Sequence, residues 1–346
     1  MQNKTPKIVG YWLLLGAVLV ITMVVVGGIT RLTHSGLSMV KWHPISGIVP
    51  PLNTTEWQAE FNHYKTSPEY IKHNYHFSLE DFKSIFWWEF IHRFIGRVIG
   101  IVFLIPFLWF YFSKKLSDKK LLKHLIVIFL LGGLQGFIGW FMVKSGLVNR
   151  PSVSHFRLAL HLVTALFLFS YILGTALPIL LDKTKNSIFY PKLQKRLKIL
   201  LGLVSLQIIY GAFTAGLKAG YIYPTYPKMG SEWLPDQAIE SIKNTGISAF
   251  VENPILVQFI HRWLAALVLF FFVRFYLKAR RLELTVPQIK CNYTLISLII
   301  LQITLGIFTL INAVPVSLGV LHQLGAVLVL ATLVMGLYYY RDTEKV

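Results

Sequence analysis

The sequence is poor in charged residues and in cysteine. Only 14% of its 346 residues are Asp, Glu, Lys or Arg, whereas 55% are hydrophobic, a balance that no water-soluble fold of this length needs. Cys291 is the only cysteine, which excludes a disulfide within the chain and a thiolate metal cluster. We therefore predict an integral membrane protein whose sites are built without thiolates.

Long hydrophobic runs predict the fold class. Eight runs are long enough to cross the hydrocarbon core of a bilayer as helices, so we expect an all-α integral membrane protein with eight transmembrane helices. The first run lacks the small-residue cleavage site of a signal peptide and is expected to remain as a helix in a bacterial inner membrane. The predicted spans cover residues 8–28, 90–112, 124–143, 155–181, 199–217, 255–277, 295–313 and 316–340.

Acidic residues are also scarce: the chain has 15 Asp and Glu against 34 Lys and Arg, a net charge of +19. Most basic residues fall in the two tails and in segments 114–123, 182–198 and 274–290, which lie on one side of the membrane if the spans alternate. This distribution is the positive-inside bias, and it predicts that both termini are cytoplasmic. The positive charge therefore predicts contact with anionic membrane lipid, and no nucleic acid partner is expected.

The chain divides into two halves that resemble each other, residues 1–182 and 183–346. The sequence Phe-Ile-His-Arg at 90–93 in the second span recurs at 259–262 in the sixth. Internal repeats are a common way to build a membrane protein around internal sites, so we predict two pseudo-symmetric four-helix bundles, the first with a long outer loop. A second repeated pattern, Leu-Gln-x3-Gly-x-Phe, begins at Leu134, Leu206 and Leu301.

Beyond His155, which stands at the very start of the fourth span, four histidines lie inside the opening turns of the even-numbered spans, two in each half, and so at similar depth near the outer face. Imidazole at membrane depth can bind a metal or haem, relay protons or be a satisfied core residue. A small residue follows one turn after each histidine, which leaves the space that a porphyrin edge needs, and two bis-histidine haems fit this pattern best. The pairs are His92 with Gly96, His161 with Ala165, His261 with Ala265, and His322 with Ala326.

Apart from Arg274, which is counted with the inner segment 274–290, the basic residues within the predicted spans all lie within five residues of one of these histidines. A guanidinium near the outer interface suits a haem propionate, which it can bind through two hydrogen bonds. The alternative is that these side chains extend toward lipid headgroups. The four arginines are Arg93, Arg97, Arg157 and Arg262.

Glu89 distinguishes the two halves, because the matching position of the second half is Gln258. A carboxylate metal site in a bundle would require a second Glu-x-x-His within a predicted span, and the other occurrence of this pattern, Glu60-x-x-His63, lies in the first outer loop. A carboxylate beside an apolar cofactor pocket can transfer protons or stabilise a developing cation. The alternative is an interfacial ion pair with Arg93. We expect charge chemistry at the first site that the second site lacks.

The first predicted span ends near Gly27 and Gly28, before an outer loop that extends to about Trp88. The two glycines could terminate the helix or shape a ligand site, and both alternatives fit the sequence. A loop of this length is usually a lid, a docking surface or an interfacial layer. Its many aromatic residues favour seating at the membrane interface.

These segments resemble the haem A synthase family, in the branch shared by proteobacteria and mitochondria. The resemblance covers nearly the whole chain, including the surroundings of His161, His261 and His322. Gram-positive members have a cysteine pair in the first outer loop that this chain lacks, so a redox disulfide is not carried over. The matching motifs are Gly-Gly-Ile-Thr-Arg-Leu-Thr from Gly27, with Ser-Gly-Leu-Ser from Ser35, Trp42 and Pro44; Ser-Pro-Glu-Tyr from Ser67; Phe-Trp-Trp-Glu-x2-His-Arg-x2-Gly-Arg from Phe86; and Gln-Gly-x2-Gly-Trp-x-Met-Val-x-Ser-Gly-Leu from Gln135.

The resemblance implies an enzyme that oxidises a ring methyl of haem O to the formyl group of haem A, for terminal oxidase biogenesis. It implies that His92 and His161 ligate the substrate haem in the N-terminal half and that Glu89 is the catalytic carboxylate. In the C-terminal half, His261 and His322 are implied as ligands of a haem b iron. The implied partners are haem O and the synthase that supplies it, an electron donor still to be identified, membrane lipid and, as a candidate, a second copy of the chain.

A different class of protein fits many of the same features. A dihaem cytochrome b that only passes electrons from a quinol to a partner would have similar bundles, ligands and arginines. Glu89, which has no counterpart in the second half, and the long first outer loop favour the enzyme. A transporter with proton-relay histidines is a third hypothesis, and it predicts a protein without bound haem.

Overall fold

The computed structural model describes residues 5–41, 46–146, 152–181 and 188–342, and every regular element in these ranges is a helix. Eight helices are long and apolar enough to cross a membrane, so the prediction of an all-α multi-pass membrane protein is confirmed. Trp42, Pro44 and the boundary predicted between the halves lie outside the described residues. In chain order the α-helices are α1 (Lys7–Leu32), α2 (Thr54–Lys65), α3 (Leu79–Phe112), α4 (Lys119–Gly146), α5 (His155–Leu180), α6 (Pro191–Gly216), α7 (Asp236–Thr245), α8 (Ala249–Glu252), α9 (Pro254–Ala279), α10 (Val286–Ile311) and α11 (Val316–Tyr339).

Several long helices begin before the predicted spans, because hydropathy reveals only the apolar part of a helix. α3 begins at Leu79, where the Ser78 hydroxyl accepts a hydrogen bond from the Asp81 backbone N–H at 3.3 Å and the Ser78 N–H donates to the Asp81 carboxylate at 2.9 Å. This reciprocal cap stabilises a polar first turn. His92 therefore lies well inside α3, almost four turns from its start, and the prediction that it occupies an opening turn is wrong.

The two glycines near the predicted end of the first span lie inside a helix. α1 continues to Leu32, so the alternative in which Gly27 and Gly28 terminate it is wrong. Gly28 lies against Gln323 of α11, whose Oε1 would be 2.7 Å from a Cβ atom added at Gly28. The Gln323 amide also donates to the main-chain oxygen of Val24 at 3.0 Å. The glycines thus let α1 approach its neighbours closely.

The first outer loop contains a small folded layer with its own core. Trp57, Phe61 and Tyr64 of α2 pack on the outer end of α3, where Trp57 lies edge to face with Phe86 (ring centroids 4.9 Å apart) and Tyr64 stacks on Phe82 (5.1 Å). Such aromatic pairs stabilise a core beyond their buried area. These rings pack inside the protein, so the expectation that loop aromatics sit at the membrane interface does not hold for them.

Two apolar cores fill the same end of the two sets of spanning helices. The first core joins α1, α3, α4 and α5 with Val327 and Leu330 of α11, and the second joins α6, α9, α10 and α11. Leu13 in the first core and Leu197 in the second lie in the second turns of α1 and α6. The four predicted histidine ligands lie toward the opposite end of their helices.

Candidate functional site

The structure brings the four histidines together as two pairs. His92 on α3 lies close enough to His161 on α5 for their charges to interact. His261 on α9 and His322 on α11 are related in the same way. All four side chains are half-buried. Each half of the chain therefore holds one pair of imidazoles, on helices that occupy corresponding places in the repeat.

Each imidazole lies against a glycine of a neighbouring helix. A Cβ atom added at these glycines would lie 2.8 to 3.2 Å from the imidazole Cε1, which is closer than ordinary van der Waals contact, so any larger residue would displace the ring. The glycines therefore determine where the rings lie. The pairs, with this distance, are Gly27 and His92 (3.0 Å), Gly139 and His161 (3.0 Å), Gly211 and His261 (3.2 Å), and Gly306 and His322 (2.8 Å).

Three of the imidazoles also have a glutamine partner, one turn before the glycine. Nδ1 of His322 also lies 3.1 Å from the main-chain oxygen of Gln302. In the tautomer with Nδ1–H, this oxygen accepts the hydrogen bond and Nε2 is available as a ligand, while the Gln302 amide nitrogen is a neighbour and not a hydrogen-bond partner of Nδ1. Histidines that bind metals commonly have Nδ1 held in this way. The pairs, each with 3.1 Å between the side-chain amide nitrogen and Nδ1, are Gln135 with His161, Gln207 with His261, and Gln302 with His322.

The sequence contained the signal for these contacts without revealing their role. The repeated Leu-Gln-x3-Gly-x-Phe pattern places a glutamine and a glycine one turn apart on α4, α6 and α10. We predicted that small residues one turn after each histidine make room for a porphyrin. That prediction is not tested by these contacts, but four glycines of the neighbouring helices touch the imidazoles, and sequence reasoning missed them as site residues.

Glu89 is buried, with 3% of its surface exposed, and both carboxylate oxygens are held. Oε2 accepts hydrogen bonds from the Ser38 hydroxyl at 2.7 Å and the Met39 backbone N–H at 2.8 Å. Oε1 lies 2.5 Å from Nη2 of Arg93. The ion pair considered as an alternative is therefore present. The hydrogen bonds from the outer segment show that Glu89 is also fixed independently of that pair.

Arg93 of α3 and Arg262 of α9 occupy corresponding positions, and each binds the segment that follows α1 or α6 on the outer side, which we call the first and second outer segments. Arg93 donates to the carbonyl of Met39 at 3.0 Å, and Arg262 donates to the carbonyl of Tyr223 at 2.7 Å. Gln258 donates to the same Tyr223 carbonyl at 3.2 Å. The neutral amide of Gln258 thus contacts the second outer segment, as the carboxylate of Glu89 contacts the first.

The other two predicted arginines belong to the first half. Arg97 is half-buried on α3, five residues after His92. Arg157 lies four residues before His161 on α5, where it donates to the carbonyl of Phe141 at 2.9 Å. Its guanidinium also stacks 3.8 Å from the centre of the Phe141 ring. Both arginines are therefore close in sequence to a histidine of the first pair.

Glu69 is a second buried carboxylate in the outer layer, and its role was not predicted from the sequence. It is 8% exposed and accepts a hydrogen bond from the Tyr64 hydroxyl at 3.2 Å, while Asn74 donates to the Tyr64 oxygen at 2.7 Å. Burial is the main reason that the pKa of Glu69 rises to about 7; the Tyr64 hydrogen bond opposes this rise and the charge of Glu89 adds to it. A group that titrates near neutral pH therefore lies within electrostatic reach of Glu89.

The residues fit a haem better than a metal ion held by protein side chains alone. Among the described residues, no group of three or more His, Cys, Asp or Glu side chains is arranged to hold an ion, as such a site requires. A haem needs only two axial ligands from the protein. Each half supplies one imidazole pair, with glycine backbone against each ring.

These features define a multi-pass membrane protein with two paired-imidazole sites, one of which has a buried carboxylate, Glu89, three residues before its first histidine on the same helix. The chain belongs to the family described as cytochrome oxidase assembly protein (COX15-CtaA), which matches residues 10–334. That range includes both histidine pairs and Glu89.

Named relatives are similar over almost their whole length. The chain is 45% identical to the haem A synthase of Flavobacterium psychrophilum over 331 residues, which covers 95% of this chain and 97% of the relative. It is 45% identical to the haem A synthase of Rhizorhabdus wittichii over 335 residues (96% and 93%) and 40% identical to that of Rickettsia felis over 328 residues (93% and 95%). The predicted resemblance to the haem A synthase family is confirmed.

Proposed function

We infer that this protein is a haem A synthase, a membrane oxidoreductase that converts a ring methyl of haem O to the formyl group of haem A. The observation that carries this inference is the identity of 40 to 45% to named haem A synthases over more than nine-tenths of each chain. The substrate is therefore haem O. The product serves the assembly of terminal oxidases, in keeping with the family to which the chain belongs.

The first bundle, residues 1–182, is the proposed substrate site. Haem O is held there between His92 and His161, and Glu89 is the catalytic carboxylate. Two observations support this assignment: Glu89 lies three residues before His92 on α3, and three of the four predicted arginines are on helices of this bundle.

The second bundle, residues 183–346, is the proposed haem b site. His261 and His322 would hold the haem iron, and the matching position to the proposed catalytic carboxylate is the neutral Gln258. A haem b bound there would supply electron transfer between the substrate site and an external electron donor. A pair without a nearby carboxylate suits a group that carries electrons and does not change chemically.

Glu89 acts through its fixed negative charge. Oxidation of the methyl carbon of haem O transfers hydride or electrons from that carbon to an external oxidant, and a preorganised carboxylate beside it stabilises the positive charge that develops there. The same carboxylate can position a water molecule for attack on that carbon. Ser38, Met39 and Arg93 hold both oxygens in place, so the carboxylate does not need to reorganise during the reaction.

The arginines are proposed to bind haem propionates. Arg93 and Arg262 already donate to main-chain carbonyls of the outer segments, but a guanidinium has five N–H donors and can bind a carbonyl and a carboxylate together. Arg97 and Arg157 are the further candidates at the first site. Binding of a propionate by Arg93 or Arg262 would link haem binding to the order of the outer segment.

The location and partners follow from charge and topology. An even number of spans puts both termini on one side, and the basic inner segments support a cytoplasmic position for them in a bacterial inner membrane. Both histidine pairs then lie nearer the outer face. Proposed partners are the synthase that supplies haem O, an electron donor, anionic lipid and a second copy of the chain.

Product analysis tests the function. Purified protein or membranes that contain it, supplied with haem O, a reductant and dioxygen as the oxidant, are expected to yield haem A by reversed-phase chromatography and mass; membranes without the protein are the control. Recovery of only unmodified haem O with a reducible haem b would favour the dihaem cytochrome b. A preparation without any Soret absorption would contradict both functions.

Histidine variants test the division between bundles. Replacement of His261 or His322 by alanine is expected to remove the resident haem b absorption. Replacement of His92 or His161 is expected to retain it and to abolish conversion of haem O. Equal loss of haem b from all four variants would contradict the proposed division.

A further inference from the structure

The space between the histidine pair and the apolar core differs between the two bundles. The repeat aligns α3 with α9 through His92 and His261, and it aligns α4 with α10 through the two glycines that touch an imidazole, Gly139 and Gly306. In this register the first bundle has glycine at three positions where the second has a large aliphatic residue. The pairs are Gly100 and Leu269, Gly132 and Ile299, and Gly136 and Ile303.

In the second bundle, side chains fill this space. Ile299 is 4% exposed and belongs to the second apolar core, and Leu269 and Ile303 pack against that core. Ile303 lies one turn before Gly306, which touches the ring of His322. The core of the second bundle therefore extends almost to its imidazoles.

In the first bundle, the same space is a gap between α3 and α4. A Cβ atom added at Gly100, Gly132 or Gly136 would meet no other atom of the described residues within 4 Å. Phe103, one turn after Gly100 on α3, stacks on Phe129 with the ring centroids 6.0 Å apart. Phe129 lies one turn before Gly132 on α4, so the glycines line the facing sides of the two helices. The stacked rings close the gap toward the first apolar core.

The first histidine pair lies at the other end of the gap. His92 is eleven residues before Phe103 on α3, which is roughly 16 Å along a helix and more than the half-width of a porphyrin. Nδ1 of His92 is shielded from solvent and has no hydrogen-bond partner among the described residues. Buried polar groups nearly always have a partner, so an imidazole of this kind suits a bound group better than it suits a protein core.

We propose that the gap lined by Gly100, Gly132 and Gly136 receives the farnesyl tail of haem O and thereby selects this haem for the first bundle. This inference rests on the proposed function, because it takes haem O as the substrate. The tail is the large apolar group that haem O has and haem b lacks. Within a membrane such a chain is bound by close packing, and glycine allows the closest approach. Leu269 and Ile303 occupy the corresponding space of the second bundle, so a haem without the tail fits there.

Competition between haem O and haem b for the first site of the purified full-length protein tests this proposal. The second site is filled with haem b, and either haem is then titrated while the Soret band reports binding, so the measurement does not depend on catalysis. Gly136→Ile gives α4 the side chain that α10 has at this position. Gly174→Ile on α5 is the matched control, because a Cβ atom there also meets nothing within 4 Å and the residue lies 13 positions beyond His161.

The expected loss of affinity is confined to the haem with the tail. The wild type should bind haem O more tightly than haem b at the first site. Gly136→Ile should weaken binding of haem O roughly tenfold, within the range that overpacking produces, and change the binding of haem b by less than about twofold. Gly174→Ile should match the wild type for both haems. If Gly136→Ile does not fold, Gly100→Leu on the facing helix is the second variant, with the same expected loss for haem O alone.

Three results would overturn the inference. Equal weakening of both haems would show that the gap holds the macrocycle and not the tail. Unchanged affinity of the glycine variant for haem O would show that the tail lies elsewhere, and a wild type without preference for haem O would show that the first site does not select the tail. A wild type that prefers haem O but forms no haem A would overturn the proposed function instead and leave the tail site standing.

Discussion

Gly306 on α10 lies directly against His322 on α11: a Cβ atom at Gly306 would be 2.8 Å from the imidazole Cε1 and 3.3 Å from Nδ1. The same relationship recurs at the other three histidines. A glycine at such a position allows two helices to approach closely in a membrane. The position of each proposed iron ligand therefore depends on a residue of a different helix.

Substitution of this glycine is expected to displace the ligand. Gly306→Ala should lower the haem b content of the purified protein several-fold, and Gly211→Ala should have a smaller effect because its added Cβ atom would be 3.2 Å from the His261 ring. The measurement is haem b per protein by its reduced spectrum. Gly202→Ala on α6 is the matched control, since a Cβ atom there meets nothing within 4 Å and alanine favours a helix over glycine. Wild-type haem content in Gly306→Ala would contradict the role of this contact.

Arg262 is expected to hold the second outer segment on α9. Its guanidinium donates to the carbonyls of Tyr223 and Thr225, both at 2.7 Å, and a glutamine is too short to reach both. Arg262→Gln should therefore speed hydrogen–deuterium exchange across residues 221–229 by roughly tenfold. Arg274→Gln, near the other end of the same helix, should leave exchange in this segment unchanged. Unaltered protection in Arg262→Gln would show that these contacts do not order the segment.

The raised pKa of Glu69 predicts that the free energy of unfolding depends on pH. Its pKa of about 7 in the folded protein is above the ordinary value of 4.5, so between these values the folded state binds more protons than the unfolded state. The free energy of unfolding should therefore decrease as the pH rises through this window and level off above it. Glu69→Gln cannot ionise and should lack this decrease, which amounts to roughly 3 kcal/mol.

Thermal unfolding in detergent between pH 5 and pH 8 measures this effect. The Tm of the wild type should fall relative to that of Glu69→Gln as the pH rises, with most of the divergence complete by about pH 8. Parallel profiles for the two proteins would mean that Glu69 is not the group responsible.

The features that could be predicted from the sequence are those that repeat along single helices. Hydropathy indicated the spans, and the recurrence of Phe-Ile-His-Arg indicated that His92 and His261 occupy corresponding places. The start of α3 could not be predicted in this way, because Glu80 and Asp81 make its first turn polar and a cap at Ser78 stabilises it.

Contacts between different helices were not visible in the sequence. Gly27 and His92 are 65 positions apart, and only the packing of α1 on α3 brings them together. Glu69 approaches Glu89 because α2 folds onto the outer end of α3.

The most direct test of the account is product formation by Glu89→Gln. An amide already occupies the matching position at Gln258, and the Met39 carbonyl would still hold Arg93, so the variant is expected to fold. We predict that it retains the haem b spectrum of the wild type and forms haem A from haem O at least roughly a hundredfold more slowly, because the fixed negative charge is lost. Formation of haem A at the wild-type rate by a variant that retains haem b would contradict the account.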